Sequence, residues 1–150
     1  MNLGFIGTGT IAFSVITGIF KSTISVNKIY ISKRNKINSL KLKKKYNKVI
    51  IAKTNQEIVD KCDWIFLSIT PDVGKKIIQE LKFRSTQTVI SFISTITLFQ
   101  LKKAIKVKAK IVRAIPLPPI SLKKGPVPIC PPNKKVKAFF DKIGTTVEIK

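Results

Sequence analysis

Six short apolar runs recur along the chain, each closed by a turn signal and followed, directly or after a proline-rich stretch, by a segment with helical spacing. The runs are Asn2 to Gly7, Lys28 to Ser32, Val49 to Ala52, Trp64 to Ile69, Thr88 to Ile93 and Lys110 to Ile115. Helices are expected over Ile11 to Lys21, Asn35 to Tyr46, Asn55 to Asp60, Asp72 to Leu81, Thr97 to Ile105 and Asn133 to Ile143. Asn55 is expected to cap the third of these, and Ile37, Leu40 and Leu42 to form one apolar side of the second. Prolines at seven positions from Pro116 to Pro132 forbid regular helix between them, and Thr145 to Lys150 reads as an edge strand. Strands that are apolar throughout are buried on both faces, so the pattern predicts an α/β fold: a doubly wound, mainly parallel sheet with helices on both sides. Ligands in that architecture bind outside the carboxyl ends of the strands, here after Ile6, Ile31, Ile69, Ile93 and Ile115.

At 150 residues the chain is expected to form a single domain over residues 1–150, burying roughly two-thirds of the surface an unfolded chain exposes. Histidine is absent and Cys62 and Cys130 are the only cysteines, which excludes Ser-His-Asp and Cys-His catalytic units and the usual zinc sites; no metal is expected. The formal charge of +22 fits polyanion binding in magnitude. Its make-up points elsewhere, because Arg34, Arg84 and Arg113 are the only arginines among 29 basic residues and base-reading sites favour arginine. The lysine excess reads as compositional drift, and no specific nucleic acid is expected as a partner. Met1 to Phe20 carries no charged side chain, yet glycines interrupt it, no positive charge precedes it and no cleavage pattern follows. Neither a signal peptide nor a membrane partner is expected, and the sparse cysteines fit a cytoplasmic protein.

The first strand meets the first helix at Gly7-Thr8-Gly9-Thr10-Ile11-Ala12, a G-x-G-x-x-A turn. Gly7 permits the tight turn, Gly9 removes a side chain that would block a pyrophosphate, and Ala12 lets helix and strand approach. The free N–H groups at the helix start then face the anion. A second strand ending in an acid would hold the ribose 2′-hydroxyl of NAD; this one ends Ser32-Lys33-Arg34. A hydroxyl and two cations suit a 2′-phosphate, so NADP is the expected cofactor of this Rossmann-like unit, with Arg34 its guanidinium contact.

With these motifs in order, the chain resembles the amino-terminal dinucleotide-binding domain of the pyrroline-5-carboxylate reductases. The likeness runs nearly end to end: GFIGTGTIA at Gly4 to Ala12, the SKR strand end, Asn55 before a helix, DWIFLSITP at Asp63 to Pro71, VISFIST at Val89 to Thr95, and RAIP at Arg113 to Pro116. Carried over by position, it implies that Ile6, Gly7, Thr8, Gly9, Thr10 and Ile11 surround the pyrophosphate. It implies that Ser32 and Arg34 meet the adenosine phosphate, where the strand end itself already suggests Lys33 as well, and Asn55 the adenine side. Ser68, Ile69, Thr70 and Pro71, with Phe92, Ile93 and Ser94, would line the route to the nicotinamide. The activity implied is NADPH-dependent reduction of a cyclic imine to proline, in amino-acid biosynthesis.

Three departures from the family pattern bear on that activity. Thr70 stands where the family has lysine, Ile93-Ser94-Thr95 replaces a small Ala-Ala-Gly stretch, and Pro116-Leu117-Pro118-Pro119 replaces Pro-Asn-Thr-Pro, losing an amide able to hydrogen-bond. No catalytic residue is assigned. The family continues into a helical domain that dimerises and supplies the substrate pocket, whereas this sequence stops at Lys150. A stand-alone divergent member, a truncated product and half of a split enzyme whose partner chain supplies the helices all fit, as does a non-catalytic dinucleotide-binding module. The expected partners are a small-molecule substrate, a cyclic imine or amino acid, and such a helical chain. Without the helices a monomer is expected at low salt, with weak association once salt screens the lysines.

Overall fold

The computed structural model describes residues 1–150. Its strands are β1 (Asn2–Ile6), β2 (Lys28–Ile31), β3 (Val49–Ile51), β4 (Trp64–Leu67), β5 (Thr88–Ser91), β6 (Lys110–Ala114), β7 (Pro126–Cys130) and β8 (Thr145–Glu148). The helices are α1 (Thr10–Phe20), α2 (Lys36–Lys45), α3 (Asn55–Lys61), α4 (Pro71–Glu80), α5 (Leu98–Ile105) and α6 (Lys134–Asp141), with a 3₁₀ turn at Pro118–Leu122. All strands join one sheet in the order β3-β2-β1-β4-β5-β6-β7-β8. β1 to β6 are parallel, β7 runs antiparallel to β6, and β8 is parallel to β7. This is the expected α/β class, a Rossmann-like, mainly parallel sheet. The strand order reverses direction between β1 and β4, which places the switch point beside the glycine turn.

Alternation along each strand divides the apolar side chains between two cores. On β4, Phe66 faces one side with Phe5, Ile16, Leu42 and Phe140, while Ile65 and Leu67 face the other with Ile58, Ile78 and Leu101. α1, α2 and α6 cover the first face; α3, α4 and α5 cover the second. Phe66 stacks on Phe5 at 4.4 Å between ring centroids and also meets Phe92 and Phe139. No helix is long and apolar enough to cross a membrane.

Four local expectations are revised. Thr54, not Asn55, caps α3: its hydroxyl accepts from the Glu57 N–H at 3.1 Å, and Asn55 is the first helical residue. On α2 only Leu42 of the three apolar residues is buried; Ile37 and Leu40 are 70% and 61% exposed. The inward positions near the helix start are instead Asn38 and Ser39, because that face meets the polar glycine turn. The proline segment contains a strand, β7, that proline content alone did not suggest. Alternate residues of a strand point their N–H groups to the same side, so Pro126 and Pro128 both place their missing donors towards β6, which is ending there. Val127 and Ile129 keep the side facing β8, where Ile129 accepts from the Ile149 N–H at 2.8 Å. Finally, the last strand ends at Glu148, two residues short of the expected run to Lys150.

Candidate functional site

β1 delivers Gly7 into a backbone that other residues resist: its φ is +100°, and a Cβ there would lie 2.1 Å from the Ser68 carbonyl oxygen. The glycine thus lets the β1–α1 turn and the β4–α4 loop touch. Gly9 differs in kind. Its φ of −70° suits any residue, and a Cβ would meet nothing within 4 Å. What its missing side chain preserves is open space above the start of α1. That helix begins without a side-chain cap and without an acid in its first turn, so its leading N–H groups are left to an outside acceptor.

Two adjoining cavities open at the carboxyl ends of β1, β2 and β4. One, of about 470 Å³, is lined by Gly7, Thr8, Gly9, Arg34, Asn35, Ser68, Ile69 and Thr70. The other, of about 460 Å³, is lined by Ser32, Lys33, Arg34, Ala52, Lys53, Thr54 and Asn55. Arg34 borders both, and no carboxylate lines either, so every charged side chain in the lining is cationic, with the two lysines confined to the second cavity. A glycine cradle on one side and a guanidinium with two lysines on the other fit a dinucleotide carrying a pyrophosphate and a further phosphate.

The expected residues are placed unevenly. Gly7, Thr8, Gly9, Ser32, Lys33, Arg34, Asn55, Ser68, Ile69 and Thr70 are gathered around this crevice. Ile6 is fully buried beneath it, Thr10 and Ile11 open α1, and Pro71 is the first residue of α4. Phe92 turns its ring into the core, 5.7 Å from Phe66 and 6.4 Å from Phe140, and Ile93 is buried against Gly74. Ser94 is exposed, and its carbonyl accepts a bond from the Arg113 guanidinium across the β5 and β6 ends.

Ser32 is buried, and its hydroxyl oxygen accepts from the Gly7 N–H at 2.7 Å. Gly7 is therefore unavailable to an anion, and Ser32 retains a proton to donate into the crevice it lines. Asn38 and Ser39 belong to the same polar cluster and were missed from sequence: Asn38 donates to the Thr8 carbonyl at 2.7 Å, and the Ser39 and Thr8 hydroxyls are 3.1 Å apart. The available signal was the pair of small polar residues one turn into α2, where an apolar face was expected. Cys62 is no nucleophile. Burial, reinforced by the neighbouring Asp63 charge, pushes its thiol up to about 12. A groove of about 420 Å³ between α4 and α5, lined by Ile78 and Leu101 with Lys75 and Lys103, holds none of the expected residues.

Residues 2–95, which carry the glycine turn, the SKR loop and the β4 and β5 ends, match the family described as NADP oxidoreductase, coenzyme F420-dependent. The chain belongs to this family. The NADP oxidoreductase description agrees with the cofactor expected from the Ser32-Lys33-Arg34 strand end. Pyrroline-5-carboxylate reductase 3 of Danio rerio is 28% identical over 128 residues, covering 83% of this chain and 44% of that protein. Among solved structures, a 1-pyrroline-5-carboxylate reductase from Streptococcus pyogenes superposes with a TM-score of 0.83 at 20% identity. Pyrroline carboxylate reductase from Plasmodium falciparum, with NADP bound, gives 0.85 at 23%. Each structure match covers 100% of this chain and 58% of the other, so this NADP oxidoreductase family member spans about half the length of the relatives it matches.

Proposed function

We propose that this chain binds NADP(H) in the crevice between the glycine turn and Arg34, and forms the cofactor-binding part of a pyrroline-5-carboxylate reductase-type enzyme. The carrying observation is that Gly9 opens onto empty space in a cavity that Arg34 also lines, with no acid present to claim a ribose hydroxyl. The leading N–H groups of α1 bind the pyrophosphate, Arg34 with Lys33 and Lys53 neutralises the 2′-phosphate, and the spare Ser32 proton donates to it. Asn55 borders the adenine side. Ser68, Ile69 and Thr70 direct the other end of the ligand along the β4 end. When bound, the reduced cofactor would supply a hydride to the carbon of a cyclic C=N bond, whose nitrogen would take up a proton to give proline.

One observation favours a second reading, a dinucleotide-binding module without turnover of its own. Leu117 is 48% exposed where the resembled family has an amide, and an apolar side chain there holds no substrate by hydrogen bonding. Titration of NADP⁺, NADPH, NAD⁺ and NADH against thermal stability tests the cofactor, since a ligand selective for the folded state raises the midpoint. NADP(H) is expected to stabilise more than NAD(H). Arg34→Ala is expected to cost NADP⁺ about 1.5–3 kcal/mol of affinity and NAD⁺ far less. Equal responses to both dinucleotides overturn the assignment. NADPH oxidation with pyrroline-5-carboxylate, by the chain alone and with candidate helical partners, separates enzyme from module: binding without turnover in every combination favours the module.

A further inference from the structure

We infer that Ser39 and Asn38, on the first turn of α2, are positioning residues that fasten the glycine turn to the cationic loop and so fix the separation of two anion-binding ends. The inference rests on the proposed NADP(H) site and deepens it. Four side-chain bonds make the fastening. Ser32 Oγ accepts from the Gly7 N–H at 2.7 Å, Ser39 Oγ donates to the Ser32 carbonyl at 2.8 Å, Ser39 Oγ and Thr8 Oγ1 are 3.1 Å apart, and Asn38 Nδ2 donates to the Thr8 carbonyl at 2.7 Å. The direction of the Thr8–Ser39 bond follows from counting protons. Ser39 has one hydroxyl proton, and a carbonyl can only accept, so that proton goes to Ser32 and Thr8 must donate to Ser39.

All three hydroxyls are almost wholly buried: Thr8 is 3% exposed, Ser32 7% and Ser39 1%. Buried hydroxyls are tolerated where each finds a partner, and a connected set holds its members in one arrangement. α2 keeps this polar face inward while Ile37 and Leu40 stay in water, which is the reverse of what burial of apolar surface alone would select. The chain linked in this way runs from the turn that faces the pyrophosphate to the strand end that carries Lys33 and Arg34. A ligand that spans both ends gains from their fixed separation, whereas a fragment occupying one end does not.

The test compares NADP⁺, inorganic pyrophosphate and 2′-AMP on the wild type and on Ser39→Ala, Thr8→Val, the double variant and Thr8→Ser. Thr8→Val is nearly isosteric and keeps the test open should Ser39→Ala fold poorly. NADP⁺ affinity is expected to fall about tenfold in Ser39→Ala and in Thr8→Val, and no further in the double variant than in Ser39→Ala. Thr8→Ser retains the hydroxyl and is expected to recover most of the affinity that Thr8→Val loses. In Ser39→Ala, at a position that lines neither cavity, pyrophosphate and 2′-AMP are expected to change less than about twofold, since each needs one end only. In the ligand-free protein, hydrogen exchange of the Gly7 amide is expected to accelerate in Ser39→Ala and Thr8→Val. Folded Ser39→Ala or Thr8→Val that binds NADP⁺ like the wild type, or Ser39→Ala that loses the fragments in step with NADP⁺, overturns the inference, as does unchanged Gly7 exchange. Failure of the wild type to bind NADP⁺ overturns the proposed cofactor instead, and Gly7 exchange then decides whether the fastening exists.

Discussion

From β3 across to β5 the chain repeats one strand–helix unit, whereas beyond β6 it reverses into β7 and adds β8 parallel to that reversed strand. The polar groups of the two regions are spent differently. In the first they converge on the strand ends and leave the start of α1 and the Arg34 guanidinium facing outward. In the second they close on each other: Asp141 accepts from Lys137 at 2.7 Å and from the Thr146 N–H at 3.0 Å, tying α6 to β8. That contact holds the Asp141 carboxyl below its ordinary range and the Lys137 ammonium above its own. The regions nevertheless depend on one another. α1, whose start faces the crevice, rests on the 3₁₀ turn after β6, where Gly18 lies so close that a Cβ would stand 2.5 Å from the Ile120 carbonyl oxygen. The second region thus acts as the wall against which the ligand-facing helix is set.

The largest effect is expected where both regions share one side chain. Phe66 packs on Phe5 of β1 and on Phe139 of α6, so Phe66→Ala is expected to destabilise the whole chain by about 3–5 kcal/mol. Chemical denaturation followed by two probes, one in each region, should give a single shifted transition; separate transitions would show that the regions fold independently.

A smaller effect tests the first region alone. The Cys62 thiol keeps its proton to about 12 in the folded chain, while the unfolded thiol ionises from about 9, so ionisation favours the unfolded state as pH rises between the two. The stability of the wild type relative to Cys62→Ala is expected to fall through that window, by about 1.4 kcal/mol one unit above the unfolded value. Denaturant midpoints of both proteins at stepped pH check this, and parallel curves would place Cys62 in a wetter site. The smallest effect on folding is expected at Gly9, where an added methyl group meets nothing. Gly9→Ala is expected to keep stability within about 1 kcal/mol while weakening NADP⁺ about tenfold or more. Calorimetric binding beside a thermal melt separates the two outcomes.

What could be read from sequence follows the same division. The β1 to β6 alternation and the glycine turn were legible because each rests on a local rule, apolar runs for buried strands and a glycine for φ of +100°. β7 was not legible, because its tolerance of Pro126 and Pro128 depends on which neighbour each proline faces, a fact of pairing that spacing does not carry. For the same reason Ser39 and Asn38 escaped notice. Their partners Thr8 and Ser32 were singled out for the ligand, but the pairing of α2 with them is a tertiary contact, and the helical pattern of Ile37, Leu40 and Leu42 pointed to a different inward face. Phe92, one of the residues expected to line the route to the nicotinamide, packs its ring against Phe66 and Phe140, a contact between distant segments that spacing does not carry.

Trp64 is the only tryptophan, and its ring sits 5.1 Å from Phe139 and 6.3 Å from Phe66 at the start of β4. The same strand ends at the crevice beside Ser68, about 13 Å away at some 3.3 Å per residue. Indole emission overlaps the absorption band of a reduced nicotinamide ring and not that of its oxidised form, and energy passes efficiently between such a pair over this distance. The strand that positions the crevice therefore also offers an optical gauge: if the nicotinamide of the proposed ligand docks after β4, the reduced dinucleotide is expected to dim the indole and the oxidised one to leave it bright, which a fluorescence titration would read without any label.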